Sequence, residues 1–426
     1  MAVTITEINE DGFSLKLSFK FSKSMLQGEH HILEVINNAG TVATGELLKQ
    51  FDTDGSPIKI GNQTFTSKGL QEKNYQTPYG TSRISRHVYQ SHSGGCTYCP
   101  LEVDARIILT STPRFAQMIS SKYTQMAVRS VISDLENNHG RRVQKKIVQD
   151  LSEAVGTVAL AKEESWNYNL PEFEKKVEGI SIGLDGTCML MKEDGWREAM
   201  TGTISLYDKS GENMHTIYVA TPPEYGKEKF LDKFTMEIER IKEKFPNVTR
   251  LGLADGARAN WPYLEKHTDH QLLDFYHASE YVGQCGNAII KNIQEKDIWV
   301  EDQCHKLKHN IGGALRLINE LKENKLKIKN KEDKEILNKA INYFENNNTE
   351  KRMQYFKFVD SVLPIGSGVT EAACKVIVKE RMCKSGMRWK NEGAQIVLTT
   401  RSLYQTEGRW EQFWNKIDKY GFNIAA

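Results

Sequence analysis

Cysteine is scarce in this chain. Seven occur in 426 residues (Cys96, Cys99, Cys188, Cys285, Cys304, Cys374 and Cys383), odd in number and scattered. That excludes a disulfide-stapled scaffold and fits a reducing compartment. Long hydrophobic runs are missing too, none approaching the ~20 residues a membrane helix needs. The first residues, MAVTITEINEDG, lack the basic start and apolar stretch of a secretion signal. No internal repeat or low-complexity tract is present, although Lys322–Lys334 is locally rich in Lys. Neither sign of charge dominates: 57 Lys and Arg stand against 55 Asp and Glu, a net charge of +2. Any affinity for nucleic acid must therefore come from local basic patches. What is present is a globular balance, 39% apolar and 26% charged, over a length that suggests about three domains at roughly 150 residues each. The expectation is a soluble cytoplasmic protein of several domains with no membrane partner.

Residues 1–112 read as a mixed α+β region whose role the pattern does not reveal. Phe13, Leu15, Leu17, Phe19 and Phe21 alternate as in a strand, helical patterns follow near Met25–Ile36 and Val42–Phe51, and short strands are expected at Ile58–Phe65 and Arg83–Gln90. Residues 113–178 are helical in texture. After Pro113 there is no Pro, Gly falls only at 140 and 156, and apolar residues keep helical spacing (Met126, Val128, Val131, Ile132; then Val143, Ile147, Leu151, Val155). Asn137-Asn138-His139-Gly140 separates two helices, the second opening with Arg141, Arg142, Lys145 and Lys146. A helix, a Gly-containing turn and a basic helix form a helix-turn-helix candidate with those four residues on DNA. An ordinary helical hairpin with a solvated charged face reads equally well.

From Gly179 an α/β texture begins. GISIGLDGTCML reads as a short apolar strand with an Asp at its end, MTGTISLYD and MHTIYVAT as alternating strands, Tyr225–Phe245 as an amphipathic helix, VTRLGLADGARAN as a strand before a short helix, and HQLLDFYHASEYV as a strand entering a helix. The order is β-β-β-α-β-α-β-α over residues 179–283. An α-helical insertion follows at 284–355, and 356–426 return to the core and end in a helix.

Asp185 and Asp255 each follow an apolar run and precede a Gly, so both are expected at strand ends that share a crevice. Asp-Gly is also a common turn dipeptide. An aspartyl-phosphate phosphatase would need a nucleophilic Asp two positions before Asp185, where Gly183 stands. The element order instead matches a ribonuclease-H-like fold, in which a third acid comes from a later helix. LPIGSGVTEAACKVIVKERMC supplies Glu371 in a helix first turn, with Lys375 and Lys379 on the same face. Three carboxylates can hold two Mg²⁺ ions, which take oxygen ligands and need no His or Cys.

The strings Asp185-Gly186-Thr187, DGWREAMTG (Asp194–Gly202), LADGARAN (Leu253–Asn260), DFYHASEY (Asp274–Tyr281), PIGSGVTEAACK (Pro364–Lys375), GMRWK (Gly386–Lys390) and GRWEQFW (Gly408–Trp414) closely resemble the bacterial DDE transposases of the ISKra type, an insertion-sequence group related to Mutator-like transposases. The resemblance covers about residues 75–422. It implies Asp185, Asp255 and Glu371 as catalytic residues and metal ligands, with two Mg²⁺ ions for which Mn²⁺ can substitute. It places Asp274 and His277 near the active centre. It implies double-stranded DNA as partner, both element ends and target, a homodimer or larger assembly, and association with the nucleoid when bound. Expected DNA contacts after the third acid are Lys375, Lys379, Arg388 and Trp389, the last either stacked on an unpaired base or a core residue. A helical stretch from Lys306 to Lys331 is likewise basic. The other classes that fit are a domesticated DNA-binding protein of the same fold and a metal-dependent nuclease that cuts without joining. Cys96 and Cys99, with His87 and His92, crowd four possible zinc ligands into thirteen residues without a second Cys-x-x-Cys; two incidental thiols are the favoured reading.

Overall fold

The computed structural model describes residues 2–224 and 226–422. It is a mixed α/β protein whose chain divides into two compact units: the residues up to Asn169 with those from Arg409 onward, and Leu170–Gly408. This parts the chain differently from the five stretches expected. The helices of 113–178 share a unit with the N-terminal residues, and the C-terminal helix Arg409–Tyr420 belongs there too. Specific bonds explain this. Asn37 Nδ2 donates to the His139 carbonyl at 2.8 Å, Gln76 N–H to Thr110 O at 2.7 Å, and the Arg106 guanidinium to the Asp418 carbonyl at 2.9 Å. Trp166 packs on Phe413 with ring centroids 5.7 Å apart.

The first unit opens with an antiparallel hairpin, β1 (Val3–Ile8) and β2 (Phe13–Leu17). The helix α1 (Met25–Lys49) is continuous where two helical patterns were expected. The intervening Gly40 does not break it; a Cβ there would run into the Tyr79 ring, so glycine marks a close crossing. Next come β3 (Ile58–Ile60), β4 (Gln63–Gln76) and β5 (Thr81–Ser91), an antiparallel sheet in that order. Then follow α2 (Pro100–Asp104), α3 (Pro113–Gln125), α4 (Val128–His139) and α5 (Lys145–Ala161). Gly140 ends α4 in the left-handed region (φ 62°), a conformation that glycine adopts without strain. Since α5 starts at Lys145, Arg141 and Arg142 lie in the preceding link and not on a basic helix.

The second unit is built on β6 (Gly179–Met191), β7 (Gly195–Tyr207) and β8 (Asn213–Thr221), successive antiparallel strands. After α6 (Glu228–Lys244), β9 (Thr249–Ala254) adds parallel to β6, and after α7 (Trp261–His267), β10 (His270–Leu273) adds parallel to β9. The sheet order is β10-β9-β6-β7-β8. Tyr225, expected to open the helix of α6, lies outside the described residues. Phe230, Phe234, Ile238 and Ile241 recur every three or four positions on α6 and are all buried. Phe234 reaches the sheet because Gly202 has no side chain: a Cβ there would lie 2.8 Å from the ring.

Helices continue the chain: α8 (Phe275–Ile289), α9 (Ile293–His309), α10 (Gly313–Lys327) and α11 (Lys331–Thr349). Leu317, Leu321, Leu337 and Phe344 from these join the same hydrophobic cluster as Ile180, Ile182 and Leu184 of β6. The insertion is therefore part of the core and not an appendage. The chain then returns through α12 (Gly368–Ala373), a π turn (Cys374–Lys379), α13 (Glu380–Met382) and α14 (Asn391–Gln405).

Candidate active site

Asp185 does not end its strand. The parallel pairing with β9 stops at Gly183–Leu253, but β6 runs on beside β7 as far as Met191. Gly186 is accordingly no turn residue. A Cβ at that position would collide with the Glu198 side chain, so the glycine makes room for an acid on β7. Asp255 fits its expectation better: β9 ends at Ala254, and Gly256 turns in the positive-φ region (98°). The Asp255 carboxylate accepts the Ala257 N–H at 3.0 Å, and its peptide carbonyl accepts the Tyr343 hydroxyl at 2.9 Å.

Alternation along β6 puts Gly183 and Asp185 on one face, and α12 docks there. Thr370 fills the space a Gly183 side chain would occupy and shares a buried hydrogen bond of 2.7 Å with Thr203. Glu371, the next residue, is thereby brought beside Asp185, and the two line one cleft of about 620 Å³ with Thr187, His277, Lys375 and Lys379. Cys374 also lies on this wall. Its thiol, pushed up to about 12 by burial and the adjacent Asp185, donates to Asp185 Oδ2 at 3.5 Å. Burial raises the Asp185 carboxyl above its ordinary value, against the pull of the Gly186 N–H, and the charges of Asp255 and Glu198 push the same way. Among the described residues neither Asp185 nor Asp255 has a cationic partner.

Asp274 is fully buried and serves as a junction. One oxygen caps α8 by accepting the His277 N–H at 3.0 Å; the other accepts both the backbone N–H and the hydroxyl of Ser367. The same Ser367 oxygen lies 3.2 Å from Glu371 Oε1. His277 stands between two acids, with Nδ1 3.3 Å from Glu280 and Nε2 3.7 Å from Glu371. Asp274 thus orients both His277 and the Glu371 loop through hydrogen bonds of its own.

The π turn after Glu371 has an identifiable cause. Arg401 of α14, 1% exposed, directs its guanidinium at the carbonyls of Val376 and Ile377, the second at 2.8 Å. Widening the helix presents these carbonyls to a side chain, and leaves Lys375 and Lys379 exposed along the cleft. Burial lowers the Arg401 pKa to about 10.

Other expected contacts are placed as follows. Arg141 is buried, donating to Thr77 O at 3.2 Å and Gln76 Oε1 at 3.0 Å with its guanidinium over the Phe115 ring. It is a structural residue, and its assignment to DNA is corrected on that ground. Arg142 and Lys146 are exposed in ion pairs with Glu136 and Asp150, and Lys145 is exposed with none among the described residues. Arg388 is exposed. Trp389 is half-buried, its N–H given to Met382 O at 2.8 Å and its ring faced by Arg381, while its backbone pairs with the end of β6. These contacts pack the tryptophan against the chain. Cys96 is exposed, Cys99 half-buried, and His87 faces Asp52 at 3.1 Å.

Among the described residues, no three His, Cys, Asp or Glu side chains are gathered tightly enough to hold an ion together. Gly183, Thr370, Cys374, Ser367 and Arg401 escaped the sequence reading. Three of them lie in the PIGSGVTEAACK string already singled out, and Gly183 stood out only as an absent nucleophile. No protein-family model matches the chain, and no curated protein matches it.

Proposed function

We propose that this protein is a DNA transposase, similar to the ISKra-type enzymes, with a ribonuclease-H-like catalytic unit. What supports the fold is the strand order β10-β9-β6-β7-β8, with three antiparallel strands followed by two parallel ones. The observation that carries the function is the meeting of Asp185 on the central strand with Glu371 on the helix docked against it, beside Asp255 at the end of the neighbouring strand.

The donor set suits Mg²⁺. Asp185 is a half-buried carboxylate crowded by other acids, with no cationic partner among the described residues, the arrangement in which a divalent ion relieves most repulsion. Mg²⁺ keeps several waters and accepts substrate oxygens, so the three acids need not close on one another in advance. Asp185, Asp255 and Glu371 would hold it, and when bound it supplies Lewis-acid stabilisation of a phosphodiester under attack. The chain's own residues do the positioning. Lys375 and Lys379 hold phosphate at the cleft by charge, Asp274 fixes the loop before Glu371, and His277 offers a ring nitrogen to the same oxygen that Ser367 contacts. Hydrolysis at the element end frees a 3′-hydroxyl, whose oxygen then bonds a target phosphorus while the target strand's own 3′-oxygen leaves as a hydroxyl.

The test is cleavage and joining of a plasmid carrying the DNA that flanks this coding sequence, with Mg²⁺ or Mn²⁺. Asp185→Asn, Asp255→Asn and Glu371→Gln are each expected to abolish cleavage and keep DNA binding. Cleavage at the full rate by any of the three rules out the assignment, and cutting without joining of a pre-cut end makes the protein a nuclease.

A further inference from the structure

A second cavity, about 700 Å³, lies beside the strand end that carries Asp255. Gly256 and Tyr343 contribute to its wall, whereas Asp185, His277 and Glu371 do not. Tyr343 is held firmly, stacked on Tyr281 with centroids 4.1 Å apart and bonded through its hydroxyl to the Asp255 carbonyl. The cavity therefore shares backbone with a candidate catalytic acid while being a separate space.

Its polar lining falls into two sets. In one set the charges are paired: Arg352 is bound to Glu265 at 2.7 Å and lies 4.5 Å over the Trp261 ring. In the other set they are not. Arg258, from the short turn after Asp255, and Lys339, Asn342 and Asn346, on one face of α11, are exposed. Among the described residues their side chains make no hydrogen bond or ion pair. A second carboxylate beside Glu265, Glu350, also lines the cavity. Two free cations suit phosphate oxygens. Two carboxamides, each able to donate and accept at once, match the paired donor and acceptor of a base edge, adenine above all. The volume falls in the range that holds a small-molecule-sized group.

We propose that this cavity is a second DNA subsite that takes one nucleotide of the strand adjoining the cleaved bond, its phosphate on Arg258 and Lys339 and its base edge on Asn342 and Asn346. The proposal rests on the DNA-processing function above.

The experiment uses the full chain carrying Glu371→Gln, so that DNA survives, and reads fluorescence anisotropy with single-stranded oligo(dA) and oligo(dT) over a salt series. Removing both cations with Arg258→Ala and Lys339→Ala should weaken binding at least tenfold at low salt and flatten the log–log salt slope by about 1.4, the value for two single-strand phosphate contacts. Asn342→Ala with Asn346→Ala should leave the slope alone and remove a several-fold preference for oligo(dA). An unchanged slope in the Arg258/Lys339 variant, with DNA still bound, overturns the subsite and leaves the transposase reading intact. Equal affinity of the parent for the two oligonucleotides overturns the base-edge contacts. A parent protein that binds no DNA at all overturns both readings together.

Discussion

Gly183→Ala is the sharpest probe of how the two parts of the cleft are joined. A methyl at this position would fall on the Thr370 hydroxyl and come within 3.4 Å of Thr203 Oγ1. Two escapes exist. Thr370 can rotate away, breaking its 2.7 Å bond with Thr203 and leaving a buried hydroxyl unpaired, at about 1–3 kcal/mol. Alternatively α12 can retreat from the sheet, an overpacking cost of about 1–3 kcal/mol. Either route costs about 2 kcal/mol, which lowers the melting temperature of a unit this size by roughly 4–8 °C. Activity should suffer more than stability. Glu371 adjoins Thr370, and a displacement of ~1 Å at a reacting group is worth on the order of 100-fold in rate. Thermal melting and the Mg²⁺-dependent cleavage assay read the two effects separately. Adding Thr370→Ala removes the obstructing hydroxyl, so the double variant should melt above Gly183→Ala alone. A Gly183→Ala protein that melts and cleaves like the parent would refute the docking argument.

Arg401→Met should cost about 3 kcal/mol or more, because two carbonyls of the π turn lose a charged donor. DNA affinity should fall with it as Lys375 and Lys379 shift, and Arg401→Lys should recover part of both, seen by melting and anisotropy. In the first unit, burial alone would raise the Glu102 carboxyl, but hydrogen bonds from Lys73 and Tyr75 and the charges of Lys73 and Arg86 hold it below the ordinary glutamate value. A depressed folded pKa contributes stability above the unfolded value and loses it as pH falls through the folded one. Glu102→Gln should therefore destabilise at neutral pH, the difference from the parent closing in acid, in denaturation curves run across that range. Arg141→Gln should lower stability by about 1–3 kcal/mol through unpaired buried carbonyl and amide oxygens without altering the salt slope of DNA binding. If the slope of that variant flattens by a full phosphate contact, Arg141 touches DNA after all.

The strands of the second unit were legible because each is a short apolar or alternating run bounded by turn residues, and the chain order alone suggested their pairing. What local pattern could not convey is how far β6 runs. Asp185-Gly186 has the composition of a turn, yet Gly186 is a strand residue whose missing side chain admits Glu198. Gly40 is equally uninformative in sequence, since a glycine required by a neighbouring ring looks identical to one that ends a helix. The extent of β4 was hidden because Gln63–Gln76 carries polar residues on both faces. The π turn is invisible in CKVIVK, which is ordinary helical sequence; its cause, Arg401, comes from another helix. Arg141 illustrates the opposite error: a basic run before a helix suggests a solvated face, and only tertiary contacts reveal that one member is buried.

The dependence of the π turn on Arg401 has a consequence for biogenesis. Asp185 and Asp255 leave the ribosome before the segment bearing Glu371, and the π turn after Glu371 gains its Arg401 donor only once α14 has been made. During translation the growing polypeptide thus holds two acids without the organised third. On the proposed function, a nascent chain would carry an incomplete cleft until that helix is in place.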